Sequence, residues 1–273
     1  MAEALDKSIL AFAEVTVRYD DRPVLDRVSF ELRRGESLVV LGEAGSGKTV
    51  LLKTALGLIR ADGGRISLFG KDVTAASEQE WYDLRARIGV LFQEGGLFDS
   101  LSIEDNVSYP LLNQETLRCP DDVMAQRVEQ SLEFVELGHT LEKFPSELSG
   151  GMRRRVGIAR AIVTEPELLL YDSPTAGLDP ITATTIMALI IKGRDVRHAT
   201  TVIVTHRYQD GEMLTRYRHD TSLGRLVPAA SNGGGRRTHY IVLRDGRIVF
   251  DGSQDALEAA PDPYVASFVR RSD

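Results

Sequence analysis

Hydrophobic and polar positions alternate with a period of two over Phe12–Tyr19 (FAEVTVRY) and again over Val28–Leu32 (VSFEL). The polar cluster Asp20-Asp21-Arg22-Pro23 between them reads as a turn, so the chain is expected to open on antiparallel strands. After an Arg34-Gly35 turn the alternation stops at Ser37–Leu41 (SLVVL), the signature of a strand buried on both faces. A Gly-rich loop follows, then a helical stretch over Thr49–Ile59 and a short hairpin over Gly63–Gly70. From about residue 100 to 164 the pattern is mostly helical. Ser102-Ile103-Glu104-Asp105 resembles a helix start, and Asp121–Leu137 places Val123, Met124, Val128, Leu132 and Val135 at near-helical spacing. Strand signals return at Glu167–Tyr171 (ELLLY) and Thr201–Val204 (TVIV), on either side of a helical Ile181–Lys192. Strand and helix in alternation predict a mostly parallel sheet. Tyr240–Phe250 reads as a hairpin on Asp245-Gly246. Thr221–Thr238 (TSLGRLVPAASNGGGRRT) reads as an irregular surface insertion, with Ser231–Arg237 as a flexible loop; a regulatory or docking role is the alternative.

The chain has 273 residues, enough for one large or two small domains with a core that needs no disulfide or metal. Thirty-three basic against forty acidic residues leave a net charge of −7, which opposes a bulk nucleic-acid binder. Cys119 stands alone, so no internal disulfide forms, and a reducing compartment fits. No apolar run approaches the roughly 18 to 20 residues that span a bilayer; Ile186–Ile191 is typical of the longest. The first residues carry acids and lack the basic start of a secretory signal. A secreted disulfide scaffold, a fibrous protein and a membrane-spanning protein are thereby excluded, and any membrane role is expected to come through a partner.

Gly42-Glu43-Ala44-Gly45-Ser46-Gly47-Lys48-Thr49 matches G-x-x-x-x-G-K-[ST], between a buried strand and a helix. Such glycines let backbone N–H groups turn inward around phosphate oxygens, and the helix N-terminus adds a partial positive charge. Lys48 is expected to reach the β- and γ-phosphates, and the Thr49 hydroxyl to ligate Mg²⁺. A strand-to-helix turn that merely favours glycine leaves Lys48-Thr49 unexplained. Leu168-Leu169-Leu170-Tyr171-Asp172 is a buried strand ending in an acid that can hold Mg²⁺ through water. Leu148-Ser149-Gly150-Gly151-Met152 precedes a basic helix, Arg153–Val163.

With these motifs in this order, the sequence resembles the ATP-binding-cassette (ABC) ATPases over essentially its whole length. The resemblance implies an α/β fold: a P-loop NTPase (RecA-like) core with a mostly parallel sheet over 1–95 and 165–273, an N-terminal antiparallel β subdomain, and a helical subdomain at 96–164. It implies that Tyr19 stacks on adenine, and that Asp172 is the Walker B acid. By the same resemblance Gln93 links the γ-phosphate site to a transmembrane partner and joins Thr49 and Asp172 at Mg²⁺. Ala176-Gly177-Leu178-Asp179 resembles the loop that contacts the opposite subunit, and His206 the switch histidine on the γ-phosphate. It further implies a head-to-tail dimer, with ATP between the phosphate loop of one subunit and Ser149-Gly150-Gly151 of the other. Two ATPs close it and hydrolysis reopens it. The helical region docks a membrane subunit, with a groove beside Gln93 for a permease helix.

One departure concerns the chemistry. The residue after the Walker B aspartate is usually glutamate in this family and orients the attacking water; here it is Ser173. A serine hydroxyl is not a useful base near neutral pH. Positioning of that kind contributes about 10² to 10⁴ in rate, so weak hydrolysis with intact ATP binding is expected. Three other readings stand open: Glu94 supplies the carboxylate, His206 positions the water, or the serine is a substitution that traps the ATP-bound state.

Leu91-Phe92-Gln93-Glu94-Gly95-Gly96-Leu97-Phe98-Asp99-Ser100-Leu101, Glu104–Leu111 and Leu178-Asp179-Pro180-Ile181-Thr182 resemble the Mla-type ATPases, similar to organic-solvent-tolerance proteins. These serve phospholipid transporters built with MCE-domain proteins. The expectation is therefore a peripheral ATPase subunit on the cytoplasmic face of a bacterial inner membrane. Its partners are a permease, an MCE protein and a second cassette, with no nucleic acid. Ending at Asp273, the chain is expected to lack the long C-terminal arm of some relatives. The alternatives are the ATPase of another importer or exporter, a non-hydrolysing regulatory subunit, and a soluble cassette acting on ribosomes or DNA. The last usually carries two cassettes or coiled-coil insertions, which this sequence lacks.

Overall fold

The structure, a computed structural model, describes residues 8–229 and 237–270. In chain order the strands are β1 (Ser8–Tyr19), β2 (Arg22–Arg33), β3 (Ser37–Gly42), β4 (Gly63–Leu68), β5 (Lys71–Asp72), β6 (Ile88–Leu91), β7 (Leu168–Asp172), β8 (Thr200–Thr205), β9 (Tyr217–Asp220), β10 (Arg225–Pro228), β11 (Thr238–Arg244) and β12 (Arg247–Gly252). The helices are α1 (Lys48–Ala55), α2 (Glu78–Arg85), α3 (Ile103–Asn113), α4 (Asp121–Phe134), α5 (Gly150–Ile162), α6 (Pro180–Arg197), α7 (Tyr208–Arg216), α8 (Gln254–Glu258) and α9 (Pro263–Arg270). The described chain forms two compact units. One lies within Met1–Trp81, Thr200–Arg218 and Val227–Asp273, the other within Tyr82–Ala199 and His219–Leu226.

The first unit holds an antiparallel sheet in the order β2-β1-β4-β5. Its period-two sequence produces its packing: Leu10, Phe12, Val15 and Val17 of β1 and Leu25, Val28, Phe30 and Leu32 of β2 are buried, and the Phe12 and Phe30 rings stack at 4.8 Å. In this unit β11, β3 and β8 run parallel, with β12 antiparallel beside β11. Every residue of β3 and β8 is buried, as their unbroken apolar runs require. Each fully buried Leu or Val side chain there stabilises the fold by roughly 1.5–3 kcal/mol.

In the second unit β6 and β7 pair in parallel, Ile88 opposite Leu168 and Leu91 opposite Tyr171. Helices α3 to α6 complete this unit. Ser102 caps α3 by accepting the Asp105 N–H at 3.0 Å, the role its sequence predicts.

Three local expectations are corrected. The helix expected over Thr49–Ile59 stops at Ala55: Gly57 takes φ 67°, and the Leu58 N–H turns back to Lys53 O at 2.9 Å. A side chain at Gly57 would also collide with the Trp81 ring, 2.1 Å away. The hairpin expected within Gly63–Gly70 has its turn at Phe69-Gly70, so its second strand is Lys71–Asp72. Within the expected irregular stretch Thr221–Thr238, Arg225–Pro228 is a strand that pairs with β9. Asp220 Oδ1 accepts the amides of Ser222 and Leu223 and closes the intervening turn, leaving Leu226-Val227 free to extend. Most of the loop expected at Ser231–Arg237 lies outside the described residues. Strands β6 and β9 and helices α2, α7, α8 and α9 lie outside the sequence expectations. No helix of the described residues is long and apolar enough to cross a membrane.

Candidate active site

The glycine-rich loop Gly42–Thr49 is built at the end of β3 in the first unit. Its turn depends on Gly47, at φ 104°: a Cβ there would stand 2.7 Å from Val24 O and 3.0 Å from Leu25 Cδ2. Lys48 is buried, and its Nζ donates to Gly42 O and Glu43 O, both at 2.8 Å, and to Ser46 Oγ at 3.4 Å. The ammonium is thus held by the loop itself. Gly45, Gly47, Lys48 and the exposed Thr49 line a cleft of about 200 Å³ with Val24 and Val50. A concave turn of backbone amides at a helix N-terminus, with a fixed cation and a hydroxyl, suits a polyphosphate. Glu43 and Ala44 are exposed at the start of the loop, while Ser46 is buried.

Two struts fix the loop from outside. The Tyr264 hydroxyl on α9 donates to Leu243 O at 3.1 Å and accepts the Glu43 N–H at 3.3 Å; burial pushes its pKa up. The Gly246 N–H reaches Ser46 O at 3.3 Å. His206 is exposed just past β8, whose Thr205 is one residue beyond the pair opposing Val40 and Val204 and lies opposite Leu41. His206 and Gly42 therefore follow paired residues of adjacent strands. The β8 end is pinned by Thr205 Oγ1, which donates to the buried Asp210 at 2.7 Å and accepts the Arg207 N–H at 3.1 Å. Tyr19 ends β1 in the same unit and is half exposed.

The second unit carries the remaining candidates. Asp172 ends β7 with 4% exposure. Ser173 follows at φ 49° and donates its hydroxyl to Asp172 Oδ1 at 3.1 Å. Asp179 caps α6, accepting the amides of Ile181 and Thr182 at 3.1 and 3.0 Å and the Thr182 hydroxyl. Those bonds, the Thr182 hydroxyl first, hold its carboxyl below the ordinary aspartate range. Ser149 caps α5 by accepting the Met152 N–H at 3.3 Å, which opens the helix at Gly150-Gly151. Gln93 starts a short 3₁₀ turn, Gln93–Gly95. Arg160 donates to Gly95 O and Gly96 O at 3.1 and 2.7 Å and so anchors that turn on α5. Gln93, Gly150, Arg153 and Gly177 meet at one polar cavity of about 630 Å³. Glu94 lies on the same turn, and its side chain is outside the described part. A second, more apolar groove of about 440 Å³ is lined by Tyr82, Phe92, Phe98, Tyr109 and Arg160, with the Phe98 and Tyr109 rings 4.6 Å apart.

Three contributors escape sequence reasoning: Tyr264, Asp210 and Arg154. Arg154 is 5% exposed and donates to the carbonyls of Ser173, Pro174 and Ala176. In sequence it is the middle of Arg153-Arg154-Arg155, which reads as a solvated basic face. The helical period offers a signal, because Arg154 falls on the buried side of α5 with Ile158 and Ala161.

Comparison with known proteins agrees with this geometry. Residues 25–176 match the ABC transporter family. The chain is 34% identical, over 96% of its length and 88% of the relative's, to the intermembrane phospholipid transport system ATP-binding protein MlaF of Escherichia coli strain K12. It is 38% identical, over 93% of its length and 64% of the relative's, to the "Probable ribonucleotide transport ATP-binding protein mkl" of Mycobacterium tuberculosis strain H37Rv. Among solved structures it is similar to cbiO1 of Clostridium perfringens, part of the ABC transporter complex cbiONQ. The TM-score is 0.76 and the identity 28%, with 97% of this chain and 94% of that one covered. The chain belongs to the ABC transporter family, as an ATP-binding subunit of the ATPase type.

Proposed function

We propose that the chain powers phospholipid transport between inner and outer membranes as the ATPase subunit of an Mla-type transporter, on the cytoplasmic face of a bacterial inner membrane. The observation that carries this reading is the 34% identity to a phospholipid transport ATP-binding protein across 96% of the chain, joined to an intact phosphate loop. In this reading Gly42–Thr49 cradles the phosphates of ATP and Tyr19 stacks on adenine. Thr49, Gln93 and Asp172 hold Mg²⁺. Their oxygen donors suit a hard cation, and no cluster of three or more acids, histidines or cysteines among the described residues offers a protein-only metal cage. Magnesium is commonly held by one or two protein oxygens together with phosphates, and bound there it neutralises phosphate charge. Ser149-Gly150-Gly151 and Asp179 face the nucleotide of a second copy, and His206 contacts the γ-phosphate. A permease helix seats in the groove beside Gln93 that its chain neighbour Phe92 lines, and an MCE-domain protein completes the transporter.

Ser173 sets the rate in this reading. Its hydroxyl proton is engaged by Asp172, leaving lone pairs that orient water without taking its proton. Binding of ATP is retained and turnover is slow. The ribonucleotide name borne by the mycobacterial relative supplies a second cargo reading. Affinity purification of the tagged full-length chain from native membranes separates the two. Co-purification of a permease, an MCE-domain protein and bound phospholipid is the expected result. A permease without MCE protein, whose ATPase responds to ribonucleotides and not to phospholipid, would overturn the lipid reading.

A further inference from the structure

Arg154 lies in the second turn of α5, behind the Ser149-Gly150-Gly151 start of that helix. Its guanidinium is turned onto backbone: Nη1 donates to Ser173 O at 3.2 Å and to Pro174 O, and Nη2 to Ala176 O at 2.9 Å. These carbonyls belong to one tight segment. The Ala176 N–H bonds Ser173 O at 3.1 Å and the Leu178 N–H bonds Thr175 O at 3.3 Å. The segment opens on Ser173 at φ 49°, left-handed backbone that a side-chain-bearing residue keeps only where its surroundings hold it. Here two nitrogens of one planar guanidinium fork hold acceptors in a fixed geometry, which a lysine ammonium, a single nitrogen at the end of a flexible stem, does not reproduce. The same bonds join α5 to the residue whose hydroxyl touches Asp172.

We propose that Arg154 is a positioning residue: by holding the carbonyls of Ser173, Pro174 and Ala176 it sets the conformation of residue 173 and ties the group beside the Walker B acid to the signature helix. Hydrolysis then answers to the placement of that helix. The inference rests on the reading of position 173 as the water-side position.

The test uses the full-length chain and has two arms. In the first, Arg154→Lys is made in the Ser173→Glu background, and kcat and KM for Mg-ATP are measured. Misplacement of a catalytic group by about 1 Å costs on the order of 10²-fold, so kcat is expected to fall at least about tenfold while KM stays within about twofold. In the second, thermal midpoints are compared for native, Arg154→Lys, Ser173→Gly and the double variant. Glycine removes the left-handed strain at 173. Once Arg154 no longer enforces that strain, there is less to remove. The change in Tm caused by Ser173→Gly is therefore expected to be about 2–4 °C more favourable in the native chain than beside Arg154→Lys. An unchanged kcat in the first arm, or equal Tm effects in the second, overturns the proposal. If Ser173→Glu itself yields no turnover, the water-side reading of 173 fails, and the Tm cycle alone decides whether Arg154 governs that residue.

Discussion

Ser173→Glu restores an acid after Asp172, and its consequences can be worked out from the structure. The left-handed backbone at φ 49° is already present, so glutamate inherits that strain without adding to it. The hydroxyl bond to Asp172 Oδ1, 3.1 Å, is lost. A neutral bond of this kind is worth about 0.5–1.5 kcal/mol. At roughly 2–4 °C of Tm per kcal/mol for a protein of this size, the variant should melt about 1–6 °C lower without nucleotide. A second carboxylate beside an acid that is 4% exposed adds to that cost. Against this, positioned proton acceptance contributes about 10² to 10⁴ in rate, or 2.7–5.4 kcal/mol of barrier at 1.36 kcal/mol per decade. The assay is steady-state hydrolysis at saturating Mg-ATP, with binding of a fluorescent nucleotide measured separately. The expected result is slow native turnover, a variant faster by two to four decades, and affinities alike within about threefold. Native turnover near or above ~1 s⁻¹ would refute the reasoning, because an ordinary enzyme rate leaves no missing base to restore. Glu94→Gln and His206→Ala would then locate the group that positions water.

Three further predictions follow from the site geometry. Gly47→Ala forces a Cβ to 2.7 Å from Val24 O and pays a left-handed cost of about 1–2 kcal/mol, so titration calorimetry should show Mg-ATP affinity reduced about tenfold or more; native affinity would contradict the loop geometry. Tyr264→Phe removes the hydroxyl between Leu243 O and Glu43 N, and nucleotide Kd should rise about two- to fivefold; an unchanged Kd would show that the strut is idle. Asp179 is held below its ordinary value of 3.8 chiefly by the Thr182 hydroxyl. A depressed folded pKa gives stability that is complete above 3.8 and is lost as pH falls through the lower folded value. The Tm advantage of the native chain over Asp179→Asn should therefore shrink below that pH; a difference that stays constant into acid would disprove the assignment.

Features legible in the sequence are those whose causes lie within a few residues or within one period. Gly42–Thr49 is contiguous, so its turn, ammonium and hydroxyl can be read together. Ser102 caps a helix three residues away. Unbroken apolar runs placed β3, β7 and β8 in full burial. Boundaries failed where a distant group intervened. Helix α1 ends where the backbone at Gly57 comes against the Trp81 ring.

By itself the sequence determined the glycine-rich turn of Gly42–Thr49, the buried strands that present it and the acid at the end of β7, because local backbone chemistry and hydrophobic period specify each of them. The helical period already marks Arg154 as the inward arginine of Arg153-Arg154-Arg155, but tertiary structure alone decided that its guanidinium holds Ser173 to Ala176, about twenty residues away. It also decided that Tyr264 braces Glu43 across 221 positions of sequence. A side chain's type and its near neighbours are written in the chain, but the partner of a buried donor is chosen by packing, which brings remote acceptors within reach and leaves that donor no water to use instead.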